Sequence, residues 1–288
     1  MTRRTGLSPH SQARYLLCSD LDRTLIPNGL HTESPGARDV FHRLVDTRAV
    51  CLVYVTGRNR ALVEQAIEEF SLPWPDAVIG DVGTRIWSTL DHQWNSWSQW
   101  DDLIRQDFTQ SVRESISEIA SQTDGLTAQT DDRQTEYKLS YYCPVDQLAQ
   151  HQSELQTAFV QRELSATVVA SQDETSHMGL IDVLPSKATK HDAIEMLMAG
   201  WGFNHWSTVC AGDSGNDLPF LTSALQSVLV ANADDSVREE AIAMAQSLGQ
   251  IDNLYLARGG IMGMNGCYAA GVVEGFLHYF PNAREWLD

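Results

Sequence analysis

Two carboxylates, Asp20 and Asp22, stand where a short apolar run ends, and this placement constrains the chain more than any other feature. Tyr15 to Cys18 reads as a buried parallel strand. In an open α/β sheet the ligand crevice lies outside the carboxyl ends of the strands, so both acids face it. The run Asp20-Leu21-Asp22-Arg23-Thr24 offers a nucleophile, a proton-transfer group two residues on, and a hydroxyl to fix the turn. Acidic turns after strands are common, so the pentapeptide needs support from elsewhere in the chain.

That support comes in three pieces. Val50 to Val55 is a second buried strand ending at Thr56-Gly57-Arg58, and a helix follows with Ala61, Leu62, Ala66, Ile67 and Phe70 on its inner face. Strand, helix, strand, helix implies a right-handed parallel sheet. The Thr56 hydroxyl and the free amides beside it can hold a phosphate oxygen, or Thr56 is an ordinary helix cap. Lys190 opens a later helix, where the helix dipole disfavours a cation. Neutralising a phosphoryl group and the nucleophile would justify it, and Lys187 is the competitor for that role. Lastly, Gly212-Asp213-Ser214-Gly215-Asn216-Asp217 follows the strand Ser207–Ala211 and places two more acids at a strand end. Hard oxygen ligands there suit Mg2+. The loop lacks the twelve-residue alternation of an EF-hand.

Taken in order, these elements resemble the four motifs of the haloacid dehalogenase superfamily of aspartate-nucleophile phosphohydrolases. The resemblance implies Asp20 as nucleophile, Asp22 as acid and base, and Thr56 and Lys190 as catalytic phosphate ligands. Gly57, Arg58 and Asn216 join them around the substrate. Asp20, the backbone carbonyl of Asp22 and Asp213 would hold Mg2+, with Asp217 orienting from close by.

Only 32 positions separate Thr24 from Thr56, whereas 134 separate Thr56 from Lys190. A βαβ unit takes about 30 residues, so the second interval also holds a small α/β block. The expected division is a Rossmann-like parallel-sheet core over 1–88 and 186–288 with an α/β cap over 89–185. A cap in this slot resembles the subfamily of sucrose-phosphate phosphatases and hexose-phosphate phosphatases. Val82-Gly83-Thr84-Arg85-Ile86-Trp87, Tyr137-Lys138-Leu139-Ser140-Tyr141-Tyr142, Asp182-Val183-Leu184-Pro185 and the final Ala269–Gly275 with His278 resemble the sucrose-phosphate phosphatase branch. Arg23 and His191 depart from it, standing where that branch has Asn and Gly. The resemblance implies a phosphatase for a sugar phosphate, foremost sucrose 6F-phosphate, with mannosylfructose-phosphate as rival and a sucrose-phosphate synthase as partner. A non-catalytic sugar-phosphate sensor or synthase accessory subunit is the rival of another class, and intact Asp20 and Asp22 speak against it.

In the cap, Glu136, Lys138 and Ser140 alternate along an expected strand and either point at the sugar or form its solvated side. Trp87, Trp94, Trp97 and Trp100 either stack on a sugar ring or pack the hinge between the units.

Charge and cysteine usage bound the partners. A net charge of −18 argues against a nucleic-acid or anionic-membrane surface. Five cysteines without ligand spacing read as reduced thiols in a cytoplasmic chain. The chain is expected to be a monomer, with residues 1–13 a loose tail.

Overall fold

The computed structural model describes residues 12–173 and 177–287, so the expected tail over 1–13 lies almost wholly outside the described residues. In chain order the first unit runs β1 (Tyr15–Ser19), α1 (Ala37–Val45), β2 (Val50–Val55), α2 (Arg60–Glu69), β3 (Ala77–Gly80), β4 (Arg85–Ser88) and β5 (Asn95–Ser96). A smaller α/β unit follows with α3 (Ser98–Arg105), α4 (Gln110–Ser121), β6 (Thr127–Ala128), β7 (Leu139–Pro144), α5 (Leu148–Gln161), β8 (Ala166–Asp173) and β9 (Met178–Pro185). The chain then returns through α6 (Lys190–Trp201), β10 (Thr208–Gly212), α7 (Leu218–Leu221), β11 (Gln226–Leu229), α8 (Asp235–Ser247), β12 (Leu254–Leu256) and α9 (Ala269–Tyr279).

The large sheet has the order β12-β11-β10-β1-β2-β3-β4-β5. It is parallel from β12 to β3, and β4 and β5 add antiparallel strands at one edge. The register pairs Ser19 with both Ala211 and Tyr54, so the loops after β1, β2 and β10 open at one place. Both faces are covered, as the near-continuous apolar strands require. Leu16, Cys18, Val53 and Cys210 point to one core with α6; Leu17, Leu52, Tyr54 and Val209 point to the other with α1 and α9.

The antiparallel small sheet has the order β6-β7-β9-β8. Two glycine positions explain how chain segments approach so closely. Gly83 has φ 108°, and a Cβ there would lie 2.4 Å from the Thr189 carbonyl, at the start of α6. At Gly212 a Cβ would meet the Asp217 carboxyl at 2.5 Å. The first contact seats the helix that carries Lys190, and the second lets the acidic loop fold back on its own strand.

Several elements differ from the sequence-based expectation. The large sheet continues through the β4–β5 hairpin, across the expected division after residue 88. The strand expected over Glu136–Tyr142 begins only at Leu139, because Thr135 and Lys138 close a tight turn through backbone bonds of 3.0 and 3.5 Å. Between Val230 and the last helix, where no element is expected, lie α8 and β12. The buried face of α8 is Ala241 and Ala245, too small to give a marked apolar period, and β12 is three residues long.

Candidate active site

The loops at the carboxyl ends of β1, β2 and β10 meet the start of α6 at the floor of a cavity of about 420 Å³. Asp20 follows directly on β1; its Oδ1 accepts a hydrogen bond from the Leu21 amide at 2.7 Å, and its Oδ2 lies 3.0 Å from Lys190 Nζ. Lys190 is the first residue of α6, held there by a reciprocal cap between Thr189 and Asp192. Its ammonium is fully enclosed and also donates to Asp217 Oδ1 at 2.8 Å and Asn216 Oδ1 at 2.9 Å. Lys187 instead sits in the preceding loop, two-thirds exposed, against Asp107.

Asp217 Oδ2 accepts the amides of Asp213 and Ser214 at 3.0 and 3.1 Å, so both of its oxygens are committed to holding the loop and Lys190. Asp213 differs. Its Oδ1 accepts from the Thr24 hydroxyl at 2.8 Å, while the buried Oδ2 accepts no hydrogen bond. Thr24 thus reaches across the site to Asp213 and not into its own turn.

Asp20, Asp213 and Asp217 are all buried, each with a carboxylate oxygen within 4.8 Å of the others'. Burial pushes the Asp20 carboxyl up to about 7, with Lys190 pulling it down and Asp217 and Asp22 adding to the rise. Burial drives the Asp213 carboxyl well above the carboxylate range, with Asp217 and Asp20 adding to the rise and Arg23 and the Thr24 hydroxyl pulling it down. Desolvation works against the Lys190 ammonium, but Asp20 and Asp217 more than offset it and hold its pKa above the ordinary value. Three buried acids face the Lys190 ammonium and the Arg23 guanidinium, which leaves an excess of negative charge, and the Asp213 Oδ2 3.4 Å from Arg23 accepts no hydrogen bond. A hard cation fits that donor set.

Asp22 stands at the mouth, 40% exposed. Arg58 grips it with two bonds, Nε to Oδ2 at 2.8 Å and a terminal nitrogen to Oδ1 at 2.6 Å, and Asn28 adds a third at 2.7 Å. Burial alone would raise this acid; Arg58 and Asn28 hold it below the usual range. Thr56 is buried at the end of β2, its hydroxyl oxygen accepting the Arg58 amide at 3.2 Å. Gly57, Arg58 and Asn216 line the cavity.

The small unit forms the opposite wall. Of the three residues expected to share a strand face, Lys138 alone lines the cavity, its ammonium 3.4 Å from the Gly57 carbonyl and 3.8 Å from Asp81 Oδ1. Glu136 is corrected: it occupies the tip of the Thr135–Lys138 turn and points away to Arg85 at 2.7 Å. Ser140 is buried behind the wall, donating to Asp182 Oδ1 at 2.5 Å. Asp182 itself lines the cavity with Gln129, Arg133, Ser171 and Gln172. Only Asp182 stands in a sequence motif; the pairing of β8 with β9 sets Ser171 and Gln172 beside it, and Gln129 and Arg133 come from the segment between β6 and β7. None of the tryptophans lines the cavity; Trp100 donates to the Gly83 carbonyl and Trp97 packs on Trp201.

An aspartate-ended parallel strand, a buried lysine at a helix start and an acidic loop facing them define a hydrolase of the haloacid dehalogenase superfamily. The comparisons with known proteins narrow this. The family model described as sucrose-6F-phosphate phosphohydrolase matches residues 13–280, and the chain belongs to that family. It is therefore a phosphoric monoester hydrolase.

A HAD-like hydrolase of Nitrosococcus oceani is 45% identical over 96% of this chain and 74% of its own length. Mannosylfructose-phosphate phosphatase of Agrobacterium fabrum is 27% identical over 93% of this chain and 98% of its own. Sucrose-phosphatase 2 of Nicotiana tabacum is 28% identical over 82% of this chain, which spans 55% of that protein. Among solved structures, the sucrose-phosphatase of Synechocystis, in complex with sucrose and phosphate, superposes with a TM-score of 0.78 at 21% identity, covering 93% of this chain and 98% of that one. That likeness is one of fold. No helix among the described residues is long and apolar enough to cross a membrane.

Proposed function

We propose that this chain is a magnesium-dependent phosphatase that converts sucrose 6F-phosphate to sucrose and phosphate, with the small unit acting as its cap. The observation that carries the reading is the buried Asp20–Lys190–Asp217–Asp213 cluster at the floor of a cavity whose far wall is polar and belongs to a second sheet. In this reading Asp20 attacks phosphorus and the bond to the sugar oxygen breaks, leaving an aspartyl-phosphate. Asp22 gives its proton to the leaving oxygen, then takes one from the water that hydrolyses the aspartyl-phosphate and restores Asp20. An incoming phosphoryl group competes with Asp22 for the Arg58 guanidinium. Loosening that pair raises the Asp22 pKa toward the range of a proton donor.

Lys190 holds Asp20 in place and adds positive charge where the phosphoryl oxygens sit. The Thr56 hydroxyl and the amides after it, with Asn216, complete the phosphate cradle. Asp20, the carbonyl of Asp22 and Asp213 would hold Mg2+, which supplies charge stabilisation for the transferring phosphoryl group. Asp217, whose oxygens are already committed, orients the loop. On the far wall Lys138 and Asp182 face the sugar, and Ser140 holds Asp182. A cytoplasmic monomer handed its substrate by a sucrose-phosphate synthase fits this reading.

The rival substrate is mannosylfructose-phosphate, since the Agrobacterium relative matches nearly end to end. Phosphate release across a panel of glycosyl-sugar phosphates, with and without chelator, decides between them. The highest kcat/KM is expected on sucrose 6F-phosphate, with activity lost in chelator and restored by Mg2+. A higher value on mannosylfructose-phosphate would move the assignment there, and undiminished activity after exhaustive metal removal would overturn the metal reading.

A further inference from the structure

One guanidinium in the site lies between two carboxylates. Arg23 Nε is 3.4 Å from Asp213 Oδ2, the oxygen that accepts no hydrogen bond. The terminal nitrogens of Arg23 lie 3.4 and 3.3 Å from the two oxygens of Asp234. The arrangement is built into the backbone. Arg23 adopts the left-handed region at φ 59°, which costs a residue with a Cβ free energy. Its amide donates to Asn28 Oδ1 at 2.8 Å and to the Ile26 carbonyl at 3.1 Å, and its carbonyl accepts from Asn232 Nδ2 at 2.7 Å. Asn232 and Asp234 belong to one loop, between β11 and α8, so that loop holds both the backbone and the side chain of Arg23.

We infer that Arg23 and Asp234 form an opposed pair that sets the cation affinity of the acidic cluster: Arg23 competes for Asp213, and Asp234 draws Arg23 away from it. The inference rests on reading the cluster as a magnesium site. A cation held by Asp20 and Asp213 would share Asp213 with Arg23 and would meet a like charge on a side chain only 13% exposed. Two charges this close, shielded from solvent, repel more than a surface pair does. Asp234 makes two contacts with the guanidinium against the one made by Asp213. It is 41% exposed, so its hold is the weaker per contact. Arg23 and Asp234 are therefore positioning residues, acting on the cation through Asp213.

Magnesium binding to the full chain, measured by calorimetry without substrate, tests the pair. Arg23→Gln should tighten Mg2+ binding by about tenfold and Asp234→Asn should weaken it by about threefold. Asn keeps the small polar side chain suited to the start of α8, where the Asp234 side chain makes no capping bond in any case. The double variant should match Arg23→Gln, because Asp234 acts only through Arg23. A purely general charge effect would leave the Asp234→Asn weakening intact in the double variant, and structural damage would make both single variants bind less tightly; either result overturns the inference. So would an anchoring role for Arg23 toward phosphate, seen as unchanged Mg2+ affinity with weakened binding of inorganic phosphate. If the wild type takes up no Mg2+ and Asp213→Asn changes nothing, the metal reading itself falls, and this inference with it. If wild-type binding is lost in Asp213→Asn yet unaffected by Arg23→Gln, the inference alone is overturned.

Discussion

The floor and the far wall of the cavity are built to different standards. On the floor, Asp20, Lys190, Asp213 and Asp217 are buried, come from three separate segments, and are cross-linked by charged hydrogen bonds. On the wall, Lys138 is buried beside Asp81, but Gln129, Arg133 and Gln172 are half-buried or exposed side chains of the small sheet and its loops. A buried charge without its partner is costly, so each floor residue fixes the next and little can vary. A wall of partly solvated polar groups can change one member at a time at small cost. On the proposed reading the floor is suited to one reaction, and the wall to choosing among sugars.

The largest effect should come from the nucleophile. Asp20→Asn is expected to lower kcat by about 10⁴-fold or more, with the far-ultraviolet circular dichroism spectrum unchanged; turnover near wild type would break the assignment of the floor to covalent chemistry. Lys190→Met should cost about 3–5 kcal/mol of stability in denaturant unfolding, because Asp20 and Asp217 lose their shared partner inside the protein. The matched change at exposed Lys187 should stay within about 0.5 kcal/mol. Similar losses at both positions would erase the contrast.

Asp81 joins the two regions, buried in the large unit and facing Lys138. Burial pushes its carboxyl up to about 6, while Lys138 pulls the other way. The folded chain therefore holds this proton more tightly than the unfolded chain does. The resulting stability is fully present below about pH 4 and lost as pH rises through about 6. Asp81→Asn does not titrate, so its stability relative to wild type should rise by about 2 kcal/mol between pH 4 and pH 7. A difference independent of pH would mean that Asp81 titrates as an ordinary carboxyl.

What was legible in the sequence follows the same contrast. The floor residues lie within a few positions of strand ends or helix starts, and an apolar strand beside an acid is a local pattern. That is why Asp20, Lys190 and Asp213 could be named from the sequence, and why the large parallel sheet was expected. The wall depends on which strands pair. Glu136, Lys138 and Ser140 have the spacing of one strand face, yet the Thr135–Lys138 turn throws Glu136 outward and leaves Lys138 inside. Asp182 was visible only as part of a phrase before Lys190; its place in the wall follows from the pairing of β7 with β9. The Arg58 grip on Asp22 joins residues 36 positions apart, and no spacing rule anticipates it.

The division between a floor that reacts and a wall that chooses is tested most directly by one ratio. It is kcat/KM for sucrose 6F-phosphate over kcat/KM for a small phosphate ester too short to reach the wall, measured for wild type and Lys138→Ala. The account predicts that the ratio falls by about tenfold, the loss of a transition-state contact worth about 1.4 kcal/mol, while the small ester is hydrolysed as before. Equal losses on both substrates would contradict it, because Lys138 would then be supporting the floor through Gly57 and Asp81 and not reading the sugar.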